Sequence, residues 1–161
     1  MPGTGTRFAA DAMLGSLSRK LRAFGFDTAY YRRGGDDGLI ALAKNEGRVI
    51  LSSDRVLVAR ASSSGIRAFL VEGRTDGRRI RSLLRSAEAE GMRVARGAPL
   101  CSLCNGALEV IGRKDAALSV PKSVLARHRL FFRCRVCGKH YWRGGHWKKL
   151  SGLQRAFEHG A

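Results

Sequence analysis

Four cysteines form the clearest chemical pattern in this sequence. They make two Cys-x2-Cys pairs, Cys101 with Cys104 and Cys134 with Cys137, and residues 105–133 separate the pairs. Each pair can fold into a tight knuckle that points two thiolates at one ion, and two knuckles complete a tetrahedral site. Because such a site leaves no coordination position open, the pattern predicts a structural zinc ion.

Disulfides, redox chemistry or an iron centre are the other uses of paired cysteines. The stretch from Met1 to Thr6 has neither the charged start nor the apolar run of a signal peptide, which predicts a cytoplasmic protein. In a reducing compartment the paired spacing favours metal over disulfides. His140 and His146 are alternative ligands, although four cysteines already suffice.

Several aspartates form a second pattern, because they fall where predicted strands end. In a parallel sheet the carboxyl ends of all strands lie at one edge, so these side chains can converge there. Clustered carboxylates repel one another unless divalent cations bridge them, and Mg²⁺ or Mn²⁺ held by oxygen ligands serves phosphodiester hydrolysis. The candidate catalytic acids are Asp11, Asp36, Asp37, Asp54 and Asp76.

A purely structural role for the same acids is the alternative. Aspartate is a favoured N-cap residue, and Asp36 or Asp37, Asp54 and Asp76 all stand where predicted helices begin. Asp11 differs, since Gly15 or Ser16 can cap the helix that follows it.

The elements that position these residues follow from apolar periodicity. Short apolar runs near residues 8–10, 26–31, 49–51 and 66–71 predict strands, and helical spacing between them predicts helices. Strands that alternate with helices predict right-handed crossovers and a mostly parallel sheet. We predict an α/β domain over residues 1–96, a zinc ribbon over 97–150, with strands near 107–111 and 131–133, and a tail over 151–161.

The strongly positive charge of the chain indicates a negatively charged binding partner. Its 30 Lys and Arg residues outnumber 13 Asp and Glu residues, which gives a formal net charge of +17. Such an excess is typical of proteins that bind nucleic acid, although a solvated basic surface is the alternative. No apolar run approaches the roughly 20 residues of a membrane-spanning helix.

Basic and aromatic residues crowd the end of the predicted ribbon. Cationic groups contact phosphates and exposed rings stack on unpaired bases, which predicts a single-stranded RNA surface. Packing of Trp142 and Trp147 within the protein is the alternative for the rings. The candidate RNA-binding residues are Arg143, His146, Trp147, Lys148 and Lys149.

The chain resembles the PIN-like ribonuclease domain named after the C-terminal part of the Mut-seven exonuclease proteins. The motifs that carry the resemblance run in order along the chain: Phe8-Ala-Ala-Asp11-Ala-Met-Leu-Gly15, Gly25-Phe-Asp27, Asp36-Asp37-Gly-Leu39, Ile50-Leu-Ser-Ser-Asp54-Arg55, the two cysteine pairs, and Tyr141-Trp-Arg-Gly144-Gly-His146-Trp147.

This resemblance implies a PIN-like three-layer α/β/α fold joined to a zinc ribbon, and an endoribonuclease that uses Mg²⁺ or Mn²⁺. It implies Asp11, Asp36 or Asp37, and Asp54 as metal ligands, with Asp76 as a further one. A non-catalytic binder of RNA, the ribosome or tRNA is the alternative function, and a toxin-like nuclease silenced by an antitoxin is a third.

Overall fold

The computed structural model describes residues 5–144, which form an α/β unit followed by a smaller β-rich unit. Strands and helices alternate strictly through the first unit. Its elements are β1 (Arg7–Ala10), a 3-10 turn (Ala12–Leu14), α1 (Gly15–Ala23), β2 (Asp27–Tyr30), α2 (Gly35–Glu46), β3 (Val49–Ser52), α3 (Arg55–Ser63), β4 (Ala68–Leu70) and α4 (Asp76–Ala89).

The four strands of this unit form one parallel sheet in the order β2-β1-β3-β4. Phe8 of β1 lies opposite Thr28 of β2 on one side and Val49 of β3 on the other. The chain therefore winds from β1 outward to β2 and then returns past β1 to β3. This reversal opens a crevice between the carboxyl ends of β1 and β3, where open α/β sheets place their ligands.

Helices cover both faces of the sheet, which confirms the predicted three-layer α/β/α fold. Side chains of α1 and α4, such as Leu17 and Ile80, pack with Phe8 on one face. Side chains of α2 and α3, such as Leu39, pack with Ile50 on the other. Both faces of the strands are buried, as expected of a parallel sheet with near-continuous apolar runs.

The observed N-termini of the helices agree with only part of the capping prediction. Asp54 caps α3, because its Oδ1 accepts hydrogen bonds from two backbone N–H groups of the first turn. Neither Asp36 nor Asp37 caps α2, since that helix already begins at Gly35 and both acids lie in its first turn. Thr75 caps α4, so the expectation that Asp76 does so was wrong. First-turn acids still interact favourably with the helix dipole.

The start of α1 also differs from the prediction. Its N-cap position is Leu14, with no side-chain cap, so neither Gly15 nor Ser16 takes that role. Asp11 occupies the N-cap position of the 3-10 turn, and its carboxylate makes no capping hydrogen bond either. The Asp11 side chain is therefore available for other contacts.

The second unit is a three-stranded antiparallel sheet with two short helices, and its strands lie in the order β5 (Leu108–Ile111), β6 (Phe131–Cys134) and β7 (His140–Trp142). The predicted strands near residues 107–111 and 131–133 are confirmed, and a third strand joins them. Its core consists of Ala116, Val120, Leu125 and Phe131. Trp142 packs against that core, in agreement with the alternative that this ring packs within the protein. The two helices are α5 (Arg113–Ala116) and α6 (Lys122–Arg127).

The connector between the units is tied to the α/β unit. Met92 and Val94 pack against its core, and Thr6 and Ala95 exchange hydrogen bonds. Gly97 N–H donates to the Gly25 carbonyl at 2.8 Å. Gly25 has a φ of +92°, and a side chain there would collide with the connector backbone, so this contact requires glycine.

No helix within residues 5–144 has the length and apolar character needed to cross a bilayer.

Candidate active site and metal centre

Asp11 and Asp54 are linked through one buried hydroxyl at the carboxyl ends of β1 and β3. The Ser52 Oγ donates to the Asp11 Oδ2 at 2.8 Å. The same oxygen accepts the backbone N–H of Asp54 at 3.0 Å. Ser52 is fully buried, Asp11 is half-buried and Asp54 is exposed. The serine thus fixes the carboxylate of one acid and the backbone of the other.

The sheet itself holds Asp11 against β3. The Asp11 N–H donates to the Leu51 carbonyl at 3.0 Å, immediately before Ser52 in the chain. This places Asp11 in the crevice created by the chain reversal between β1 and β3. Within residues 5–144 the Oδ1 of Asp11 and the Oδ2 of Asp54 accept no hydrogen bond. Each acid therefore offers an oxygen to a ligand.

Asp76 lies at the start of α4 and its carboxylate is already occupied. Its Oδ2 accepts from the Lys20 Nζ at 2.5 Å and the Ser16 Oγ at 2.6 Å, and Arg79 lies 3.6 Å from the other oxygen. Burial raises the pKa of Asp76, but the bonds from Lys20 and Ser16 outweigh it, so the pKa is lowered. These contacts give Asp76 a strong structural role between α1 and α4.

Asp36 and Asp37 face a third cation, on the other side of the sheet. Arg60 of α3 forms ion pairs with both, at 3.2 Å to Asp36 and with a short contact to Asp37. Asp37 and Arg60 line a groove between α2 and α3 that also includes Arg55 and Val56. The groove borders Asp54, because Arg55 follows it directly in the chain.

The five candidate acids do not form one cluster. Within the part of the chain that the structure describes, the cysteines are the only group of three or more His, Cys, Asp or Glu side chains placed to hold a metal ion. Asp36 and Asp37 share the cation Arg60, whereas Asp11 and Asp54 share an uncharged partner, the Ser52 hydroxyl. A cation at this edge would therefore rely on two carboxylates, water and a substrate phosphate, which is a common arrangement for Mg²⁺.

The four cysteines meet as the spacing predicted. Their sulfur atoms all lie within 4.8 Å of one another, with 3.4 Å between Cys104 and Cys134 and 3.6 Å between Cys101 and Cys137. Backbone N–H groups of Val136 and Cys137 point at the Cys134 sulfur, as in a metal-binding knuckle. This all-thiol, closed donor set fits a zinc ion.

The surroundings of the sulfur atoms are tight and polarised. The Tyr141 hydroxyl lies 2.9 Å from the Cys101 sulfur. Burial raises the pKa of the Cys101 thiol, but this contact and backbone N–H groups lower it to about 6. Burial and the neighbouring sulfur atoms raise the pKa of Cys104 to about 12. Four thiols this close cannot all ionise without a cation to offset their repulsion.

The first knuckle is bound to the α/β unit through Arg22 and Asn105. The buried Arg22 guanidinium donates to the Ser102 and Leu103 carbonyls and to the Thr28 carbonyl, at 2.8–3.2 Å. Burial lowers the pKa of Arg22, and the nearby Cys101 and Cys104 partly offset this effect. This guanidinium therefore joins α1, β2 and the knuckle in one contact.

Asn105 completes the same seam. Its amide donates to the Asp27 carboxylate at 2.7 Å, and its oxygen accepts the Thr28 N–H at 3.1 Å. Burial raises the pKa of Asp27, but bonds from Arg48 and Asn105 outweigh it and lower that pKa. The seam lies at the amino end of β2, and so at the opposite end of the sheet from Asp11 and Asp54.

The predicted RNA-binding residues lie only partly in the described region. Arg143 is exposed, while His146, Trp147, Lys148 and Lys149 lie outside residues 5–144. Two other ribbon cations, Arg133 and Arg135, both donate to Glu109 and lower its pKa. Part of the basic charge of the ribbon is thus paired internally.

Sequence reasoning missed the residues that hold the site together. Ser52 carried no signal beyond its place between a strand and Asp54. Arg22 and Asn105 looked like ordinary polar residues. Arg22 lies off the apolar stripe of α1 that Leu17 and Leu21 mark, so helical periodicity gave no signal that it is buried. Asn105 has a positive φ of 69°, a conformation that sequence alone does not reveal.

Comparison with known families gives one match. The family model described as the Mut7-C RNAse domain matches residues 6–153, nearly the whole chain. Neither a curated protein nor a solved structure matches the chain significantly.

Proposed function

This chain belongs to the Mut7-C RNAse domain family, and from that premise we propose that it is a metal-dependent endoribonuclease. Family membership supports a ribonuclease-type function with RNA as substrate. The finer proposal is that Asp11 and Asp54 together hold Mg²⁺ or Mn²⁺ at the carboxyl ends of β1 and β3. The observation that carries it is the Asp11–Ser52–Asp54 arrangement in the crevice between those strands.

The chemistry needs a site that attracts a polyanion and then tolerates negative charge next to phosphate. A bound divalent cation would lower the pKa of a water molecule and offset the charge of the phosphate. Asp11 supplies a half-buried carboxylate whose orientation Ser52 fixes, and Asp54 supplies an exposed one at the start of α3. The exposed side of the pair leaves room for RNA.

The remaining acids are proposed to shape the site. Asp36 or Asp37 is an additional ligand only if Arg60 releases it, and Asp76 only if Lys20 and Ser16 do. Their present contacts support positioning roles at the starts of α2 and α4.

The ribbon is proposed to have two roles. Cys101, Cys104, Cys134 and Cys137 hold one structural zinc ion, and the basic end of the ribbon helps to bind single-stranded RNA. Arg143, Lys148 and Lys149 are the proposed phosphate contacts, with His146 and Trp147 beside them.

Exchange of each acid for its amide tests the catalytic proposal. In Asp54→Asn the amide oxygen can still accept the two backbone N–H groups that now bond Oδ1, so the helix cap survives while the charge is lost. We expect Asp11→Asn and Asp54→Asn each to abolish Mn²⁺-dependent cleavage of a labelled single-stranded RNA. The fold, followed by circular dichroism, and RNA affinity should change little. Asp115→Asn, an exposed acid of the ribbon, is the control and should cleave normally.

Product ends provide an independent check. Attack by water leaves 5′-phosphate and 3′-hydroxyl ends, whereas attack by a ribose hydroxyl leaves a 2′,3′-cyclic phosphate. Cyclic ends, or full cleavage by Asp11→Asn, would contradict the two-carboxylate site.

A non-catalytic RNA-binding protein is the second candidate function. It is favoured by one observation, that Asp54 already serves as a helix cap and the described acids do not cluster in threes. Tight RNA binding without cleavage at any Mg²⁺ or Mn²⁺ concentration would support it.

A further inference from the structure

An unpaired stripe of arginines runs along the outer face of α4. Arg78, Arg81 and Arg85 stand at positions i, i+3 and i+7, which lie on one side of a helix. All three are exposed, while Ile80, Leu83 and Ala87 of the same helix are buried against the sheet. The stripe therefore points away from the core.

The charges of this stripe have no acidic partner within residues 5–144. The neighbouring Arg79 shows the contrast, because it pairs with Asp76 and donates to the Gly73 carbonyl. Arg74 in the loop before α4 and Arg19 on the adjacent α1 are also exposed, and neither forms an ion pair with a described acid. Glu88, one turn beyond Arg85, is the acid that follows the stripe at its far end.

The near end of the stripe lies at the functional edge of the sheet. α4 begins after β4, at the same carboxyl edge as Asp11 and Asp54, and Asp76 ties that start to α1. The ribbon, in contrast, is anchored at the opposite end of the sheet through Arg22 and Asn105. A polyanion that approaches Asp11 along this face thus meets α4 without needing the ribbon.

We propose that the Arg78–Arg81–Arg85 stripe of α4 binds the phosphate backbone of single-stranded RNA and leads it to the crevice at Asp11 and Asp54. This inference rests on the proposed ribonuclease function for its choice of RNA. Three residues at i, i+3 and i+7 span about 10 Å along a helix, which suits successive phosphates of one strand. Arginine contacts phosphate without reading bases, so the stripe binds without sequence preference.

The test measures RNA binding without Mg²⁺ or Mn²⁺, so that cleavage plays no part. Full-length zinc-loaded protein is titrated against a fluorescent 20-nucleotide poly(U) between 50 and 200 mM salt. Each phosphate contact on a single strand contributes roughly 0.7 to the slope of log affinity against log salt. The combined variant Arg78→Gln, Arg81→Gln and Arg85→Gln should flatten that slope by about 2, and glutamine preserves the helix.

A matched variant removes the same charge elsewhere. Lys44→Gln, Lys114→Gln and Lys122→Gln changes three exposed cations that are scattered over α2, α5 and α6. It should leave the slope nearly unchanged. Equal slopes for the two triple variants would overturn the stripe as an RNA surface, and so would an absence of single-stranded RNA binding by the unmodified protein.

A second variant keeps the proposal testable if the triple change impairs folding. Glu88→Gln removes the acid at the far end and should raise RNA affinity severalfold, whereas unchanged or weaker binding would count against the stripe. The outcome is independent of catalysis. If Asp11→Asn loses cleavage but the triple arginine variant keeps the salt dependence of the unmodified protein, the nuclease proposal stands and the RNA-binding role of the α4 stripe is rejected.

Discussion

The Ser52 hydroxyl orders two acids with a single oxygen. It donates to the Asp11 carboxylate and accepts the Asp54 N–H, so the serine selects one orientation for Asp11. Loss of a side chain that orients a metal ligand in this way typically lowers metal affinity or activity by about 10- to 100-fold. Ser52 is thus a positioning residue in the proposed site.

Ser52→Ala should raise the Mn²⁺ concentration needed for half-maximal cleavage by about 10- to 100-fold. Cleavage at saturating Mn²⁺ should recover in part, because both carboxylates remain. Ser53→Ala is the control, since the Ser53 hydroxyl donates to the Val71 carbonyl and makes no hydrogen bond to either acid. Equal Mn²⁺ dependence in the two variants would remove Ser52 from the site.

Asp76 carries a pH-dependent part of the stability. Its pKa is lowered in the folded protein, so its contribution is fully present above the ordinary value of 3.8 and is lost as the pH falls through the lowered value. Asp76→Asn should therefore cost about 1–2 kcal/mol at pH 7 and progressively less as the pH falls below 3.8, in urea unfolding. Loss of cleavage with unchanged stability would instead make Asp76 a metal ligand, as the sequence predicted.

At the scale of elements, the two cysteine knuckles depend on the small residue beside them. A side chain at Gly106 would lie 2.9 Å from the Cys134 sulfur and 2.8 Å from the Val136 side chain. Both distances are shorter than ordinary van der Waals contacts. The Cys134 sulfur cannot easily move away, because it accepts hydrogen bonds from the backbone N–H groups of Val136 and Cys137. Gly106 therefore sets the approach of one knuckle to the other.

Gly106→Ala should weaken zinc binding at least tenfold in a competition with a chromophoric chelator, because the second knuckle must shift. Gly112→Ala offers the control, since its new side chain would meet only the Asp115 carboxylate at 3.7 Å. One zinc ion per chain is expected in both unmodified and control proteins. Metal analysis that finds no zinc in protein purified without chelator would contradict the ribbon assignment.

Sequence patterns predicted the regular elements and missed the contacts between them. Apolar periodicity was sufficient for the strands and helices of the α/β unit, because both faces of the parallel sheet are buried and its strands read as apolar runs. The short elements α5, α6 and β7 of the second unit were not predicted. Cysteine spacing predicted the sulfur cluster, since coordination chemistry restricts that spacing. The helix α2 begins earlier than predicted, at Gly35, because Gly34 with its positive φ takes the N-cap position. The partners of Asp76 and Arg22 depend on tertiary packing and leave no local pattern.

At the scale of the whole molecule, the two units share one buried cation. Arg22 belongs to α1, yet its guanidinium bonds the Ser102 and Leu103 carbonyls beside the first cysteine pair. Folding of the α/β unit and closure of the knuckle therefore stabilise each other. Zinc removal is expected to lower the stability of both.

Arg22→Met tests this coupling, because methionine keeps the apolar stem and leaves three carbonyls without their donor. The loss should be about 2–4 kcal/mol. Calorimetry should show one cooperative transition for the zinc-loaded protein and two separate transitions for the variant. Arg19→Met, on the exposed side of α1, is the control and should unfold as the unmodified protein does.

The position of the first cysteine knuckle on β2 also affects the tendency of this protein to aggregate. β2 is an edge strand, and the N–H and carbonyl of Thr28 are capped by Asn105 and Arg22. An uncapped edge is a template for strand addition from another chain. Protein treated with a chelator should therefore aggregate, as measured by light scattering, at concentrations where the zinc-loaded form remains monodisperse. The metal ion would then prevent intermolecular β-sheet formation in addition to stabilising the fold.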